Sequence, residues 1–101
     1  MLTSKQRAQL RGLAATEDTI VHIGKGGITD NIVTQMNDAL KARELVKGRV
    51  LENSLLTARE ACDALAETCR AEPVQVIGSK FVLYKRNEQK PKIELLKKAK
   101  K

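Results

Sequence analysis

Ile20-Val21-His22-Ile23-Gly24-Lys25-Gly26-Gly27-Ile28-Thr29-Asp30 joins a β-branched run to a helical pattern through three glycines and one lysine. Glycine lets the backbone take φ > 0 and lets another chain approach it closely. Thr29 is a good N-cap, and Ile32, Val33, Met36, Ala39 and Leu40 follow as one apolar stripe at helical spacing. The spacing predicts strand, loop, helix. The loop delivers backbone N–H groups to a helix N-terminus, where orphan donors and the macrodipole favour an anion. Lys25 adds a positive charge at the tip, so the stretch reads as a phosphate-cradling loop. Asp30 suits the first helical turn but would repel a phosphate unless it points away. The spacing is neither a Walker A loop nor a dinucleotide-binding fingerprint. A lone GxxG is also what a plain strand-to-helix turn looks like, so support must come from the rest of the chain.

The 101 residues, 42% of them hydrophobic, fit one domain with a modest core. The formal net charge is +7, and its distribution says more than its sum. Residues 1–51 hold eight basic and five acidic side chains, 52–72 two and five, and 73–101 nine and two. Such polarity fits a polyanionic partner, with a merely solvated basic surface as the plainer alternative. Cys62 and Cys69 lie two turns apart on one expected helix face, too far for a disulfide and wrongly spaced for a C-x₂-C metal pair. They read as buried, reduced thiols. No apolar run approaches the length of a membrane span, so a cytoplasmic protein without membrane association is expected.

In chain order, Thr3-Ser4-Lys5-Gln6 matches a capping box and opens a short basic helix over roughly 4–15. Leu10, Leu13 and Ala14 give it one apolar edge, with Lys5, Arg7 and Arg11 as exposed cations. Thr19–Ile23 is the first strand, and the second helix covers about 30–42. Leu45–Leu51 reads as a strand with Val46, Gly48 and Val50 on one face and Lys47 and Arg49 on the other. A third helix spans roughly 54–70, with an apolar face through Ala58, Ala61, Cys62, Leu65, Ala66 and Cys69. Thr57-x-x-Glu60 is an internal capping signal that blurs its start, and Pro73 marks its end. Val74–Ile77 and Phe81–Lys85 form a hairpin across Gly78-Ser79-Lys80. The expected class is α/β (α+β), ordered α-β-α-β-α-β-β, with a four-stranded mixed sheet and helices two and three on one face. Residues 1–86 form the domain. Residues 87–101, with six lysines and two glutamates, are expected as a basic, partly disordered C-terminal extension able to strengthen nucleic-acid binding.

Catalytic chemistry is not legible. His22, the single histidine, sits between apolar residues with no acid or nucleophile at readable spacing. It reads as a packed or edge side chain, or as a minor RNA contact on the Lys47/Arg49 face. No metal cluster, cofactor motif or catalytic residue is expected. Phe81 and Tyr84 are the only aromatics and point to opposite faces, so a base-stacking sheet of the RRM kind cannot form. A nucleic-acid partner would be gripped by its backbone and read by shape.

The capped basic helix, Ile23-Gly24-Lys25-Gly26-Gly27-Ile28-Thr29, Glu44-Leu45-Val46-Lys47, and Val74-Gln75-Val76-Ile77-Gly78 followed by Val82-Leu83-Tyr84-Lys85 occur in one order. Together they resemble the CRM domain (chloroplast RNA splicing and ribosome maturation) in its stand-alone, bacterial YhbY-like form, over about residues 2–95. The resemblance implies an RNA-binding module associated with assembly of the large ribosomal subunit. It also implies a fold similar to the C-terminal domain of a bacterial translation initiation factor. With no catalytic residues legible, a non-enzyme is expected, and nothing in the sequence demands more than a monomer. Gly24, Lys25, Gly26 and Gly27 match the backbone-clamping GxxG of KH domains. The chain departs from the family's usual Ile-x-Leu-Pro ending, since Ile93-Glu94-Leu95 is followed by Leu96 and lysines. The expected RNA-binding set is Gly24, Lys25, Gly26, Gly27 and Thr29, with Lys5, Arg7, Arg11, Lys47, Arg49, Lys85 and Arg86 around it. A general nucleic-acid binder without RNA preference is the alternative, and a small enzyme acting on an acidic substrate a more distant one.

Overall fold

The computed structural model describes residues 3–86. Its elements run α1 (Ser4–Ala14), β1 (Thr19–Ile23), α2 (Asp30–Arg43), β2 (Leu45–Val50), α3 (Ala58–Cys69), β3 (Glu72–Ile77) and β4 (Lys80–Tyr84). This is the expected α+β order. The expected extension at 87–101 lies outside the described residues.

Local signals explain the helix starts. Thr3 caps α1 and Thr57 caps α3, each through a reciprocal capping box with Gln6 or Glu60. Thr29 accepts from the Ile32 N–H at the head of α2. The Thr57 cap corrects the sequence reading: α3 begins at Ala58, not near 54, because the capping box is its true N-terminus. Residues 51–57 form the connecting loop. At the other end Arg70 adopts the left-handed conformation that closes the helix. Pro73 lies within β3, an edge strand, where a missing N–H is tolerated.

The sheet order is β1-β2-β4-β3. β1 and β2 are parallel, while β4 runs antiparallel to both of its neighbours. The last of the described strands thus inserts between β2 and β3. On one face α2 and α3 cover Val21, Ile23, Val46, Val50, Phe81 and Leu83 with Met36, Leu40, Ala61, Cys62 and Leu65. On the other, α1 covers a smaller cluster of Leu10, Ala14, Leu45, Val74, Val82 and Tyr84. Gln6 shares the buried side of α1, whereas Leu13 is 42% exposed. The buried edge of α1 is therefore Gln6, Leu10 and Ala14 at i, i+4 and i+8, and Leu13 lies outside the second core.

Both cysteines are buried and free. Burial, reinforced by Asp63, pushes the Cys62 thiol up to about 11, so it stays protonated and packs as an apolar group. Among the described residues, no helix is long and apolar enough to cross a membrane.

Candidate nucleic-acid interface

The glycine stretch forms a tight turn at the C-terminal end of β1, closed by the Gly27 N–H donating to the Gly24 carbonyl at 3.0 Å. Only Gly27 has a positive φ (+72°) and so needs to be glycine for conformational reasons. A Cβ on Gly24 would meet Asn53 at 3.5 Å and Leu51 at 3.7 Å, and one on Gly26 would meet Thr29 at 3.5 Å, all ordinary contacts. Folding does not require glycine at these two positions. The absence of a side chain at exposed Gly26 leaves its backbone open to an approaching group.

Lys25 is exposed on the same turn. Immediately beyond it, Thr29 satisfies two donors of α2, with its side chain taking the Ile32 N–H and its carbonyl the Val33 N–H. The N–H groups at the first two helical positions, Asp30 and Asn31, have no intrahelical partner by geometry. Donors and dipole favour an anion here. The exposed Asp30 carboxylate follows directly, so an anion is better accommodated on the Lys25–Gly26 side.

The loop adjoins a cationic row on the α1 face of the sheet. His22 pairs with Arg49 in register, Arg49 with Lys80, and Lys80 with Ile77, so four side chains line up across all four strands. Neighbouring strands are about 4.8 Å apart. All four residues are exposed, because α1 covers only the opposite half of this face. One residue pair further down, Thr19, Lys47, Val82 and Gln75 form a second row. The Lys47 ammonium donates to the Ala14 carbonyl at 3.3 Å, at the negative end of the α1 dipole. Arg11 lies across the same recess from Lys80. Arg11, Lys25, Arg49 and Lys80 have no ion-pair partner among the described residues, whereas Arg43 pairs with Glu17. Glu60, Asp63 and Glu67 project from α3, beyond the other face of the sheet. The charge segregation read from the sequence thus becomes a segregation between faces.

The structure brings together Gly24–Gly27, Thr29, Arg11, Lys47 and Arg49 from the expected set. It places the others elsewhere. Lys85 and Arg86 follow β4 at the far end of the sheet, where the Lys85 N–H donates to the Glu44 carbonyl. That is roughly 17 Å from Lys80 at about 3.4 Å per residue. Arg7 is half-buried beside Arg59 at the β3 edge, and its Nε has no hydrogen-bond partner, so it is not the exposed cation expected. Lys5 lies about 9 Å back along the helix from Arg11. Sequence reading missed Lys80, which it left in the hairpin turn. The alternation Lys80, Val82, Tyr84 carries the signal, but only once β4 is known to pair with β2. Among the described residues, no group of three His, Cys, Asp or Glu is placed to hold a metal ion.

A strand–GxxG–helix loop thus lies beside a basic sheet face in this α+β domain. The chain belongs to the CRS1 / YhbY (CRM) domain family, which it matches over residues 2–85. It is 42% identical over 95 residues to the probable RNA-binding protein YqeI of Bacillus subtilis, covering 94% of this chain and 99% of that one. An RNA-binding protein of Haemophilus influenzae is 33% identical over 94 residues, covering 93% and 94%. The solution structure of the hypothetical protein SAV1595 from Staphylococcus aureus, a candidate RNA-binding protein, is similar with a TM-score of 0.72 and 45% identity. It is covered completely, over 95% of this chain.

Proposed function

We propose that this protein binds structured RNA, with the GxxG loop seating a backbone phosphate and the Arg11–Arg49–Lys80 face holding the strand beyond it. The observation that carries this reading is the alignment of unpaired cations beside a loop whose Gly26 needs no glycine for folding. The names of its relatives support RNA as the partner. They also support a binding role over an enzymatic one. Residues 1–86 are the binding unit, acting as a monomer in the cytoplasm on large-subunit ribosomal RNA or its precursor particle.

Affinity for a structured ribosomal RNA fragment is expected to fall steeply with salt. About five phosphate contacts give a log–log slope of roughly −3.5 to −4.5. Lys25→Glu lowers both affinity and the magnitude of that slope. An unchanged slope and affinity in this variant would remove the loop from the interface. A DNA competitor of equal length and shape tests the choice of RNA: equal competition supports a general nucleic-acid binder instead.

The ribosomal assignment is tested by sedimentation of a lysate in a sucrose gradient. The native protein is expected to travel with the large subunit or its precursors, and to return to the top of the gradient after ribonuclease treatment or at high salt. If it stays at the top in low salt, stable association with the particle is excluded.

A further inference from the structure

Between the C-terminal end of α1 and the uncovered half of the sheet lies a recess of about 310 Å³. Its floor is aliphatic, from Ala14, Val82 and Ile77, and its rim carries Arg11, Lys47 and Lys80. We propose that this recess holds one unpaired nucleotide of the bound RNA, its base on the aliphatic floor and its phosphate between Arg11 and Lys80. The inference rests on the RNA-binding reading and adds a specificity that a backbone clamp lacks.

Four observations lead to a nucleotide. The volume is at the small end of the range for small-molecule sites, about 300–1,000 Å³, which suits one nucleotide better than two. Ile77 of that floor is 64% exposed, an apolar surface that a base can cover. Lys47 is held by the Ala14 carbonyl, whereas Arg11 and Lys80 have no such partner among the described residues and remain available to an anion. Gln75 also lines the recess and offers an amide with both donors and an acceptor to a base edge. The chain lacks an aromatic platform, but a base can rest on aliphatic side chains from one side and meet the Arg11 guanidinium plane from another. A paired base presents only its edge in a groove, so the occupant has to be bulged, looped or terminal. The recess is continuous with the Lys80–Arg49–His22 row. One strand can therefore run from it toward the glycine loop, across β4, β2 and β1, roughly 10 Å at normal strand spacing.

The test uses two RNA hairpins with the same stem, one fully paired and one carrying a single bulged 2-aminopurine. Affinities are measured by anisotropy at one salt concentration, and the fluorescence of the bulged base reports its environment. The wild-type protein is expected to bind the bulged hairpin about fivefold more tightly, corresponding to about 1 kcal/mol. Its binding should also change the 2-aminopurine emission. Ile77→Ser, at an exposed site that spares both cores, is expected to bind the two hairpins equally. Lys25→Glu should weaken both while preserving their ratio. Equal affinities in the wild type, or a preference that survives Ile77→Ser, would overturn the proposal while leaving RNA binding intact. Failure to bind either hairpin at low salt would instead overturn the RNA-binding reading itself, and the recess assignment with it.

Discussion

Gly48→Ala is expected to destabilise the protein by about 2 kcal/mol, although alanine is normally the better strand residue. Gly48 lies in the middle of β2, directly opposite Phe81 on β4. The Phe81 ring lies across it, so an added Cβ would fall 2.7 Å from Cε1 and closer still to Cζ. Real side chains do not tolerate such approaches, and the ring has no room to retreat, being 1% exposed within the larger core. Removing a strand glycine would otherwise gain about 0.5–1 kcal/mol. Overpacking a filled core costs about 1–3 kcal/mol, and occasionally more, so the steric effect dominates. In a domain of this size the loss corresponds to a fall of roughly 10 °C in melting temperature. A double variant, Gly48→Ala with Phe81→Leu, should lose less than the sum of the single changes, because the smaller side chain removes the conflict. A neutral or stabilising Gly48→Ala would show that the ring does not occupy the glycine's missing side chain.

Alanine in the loop should separate folding from binding. Gly27→Ala forces a left-handed conformation on a residue with a Cβ, at a cost of about 1–2 kcal/mol. Gly26→Ala meets only an ordinary contact with Thr29 and should leave stability unchanged or slightly raised, through a less flexible unfolded chain. Gly26→Ala places a methyl group where a phosphate is proposed to approach, whereas a Cβ on Gly27 would face Leu56. Loss of one charge-assisted hydrogen bond, about 1.5–3 kcal/mol, makes a drop of at least about tenfold in RNA affinity the expected result. Thermal melts and anisotropy titrations on the same preparations check the pair. Full affinity in Gly26→Ala would show that no phosphate sits against the loop backbone, and Lys25 would then act only as a distant charge.

The elements themselves were legible because their signals are local. Capping residues act over three positions, as Thr3 with Gln6 and Thr57 with Glu60 do. Apolar spacing likewise marks α2 and α3, and alternation along β2 separates Val46, Gly48 and Val50 from Lys47 and Arg49. Errors fell where two local signals competed. The span of roughly 54–70 treats Thr57-x-x-Glu60 as internal to α3, whereas it caps the helix and Leu55 is 92% exposed in the loop before it. On α1, hydrophobicity alone counted Leu13 as core and basic character alone counted Arg7 as exposed. Helix docking decides both points.

The amino-acid sequence by itself determined the element order, the glycine turn feeding α2, the buried thiols and the resemblance to CRM domains. Each depends on residues close together in the chain or on a pattern kept in order. Tertiary structure alone decided that β4 inserts between β2 and β3, which sets Lys80 beside Arg49 and Ile77 beside Lys80. It also decided that α1 covers only half of its sheet face, leaving the cationic row and the recess open. The same pairing carries Lys85 and Arg86 to the opposite end, away from the loop. The physical reason is that strand order follows from burying both sheet faces at once. No local propensity encodes which distant strand completes that burial.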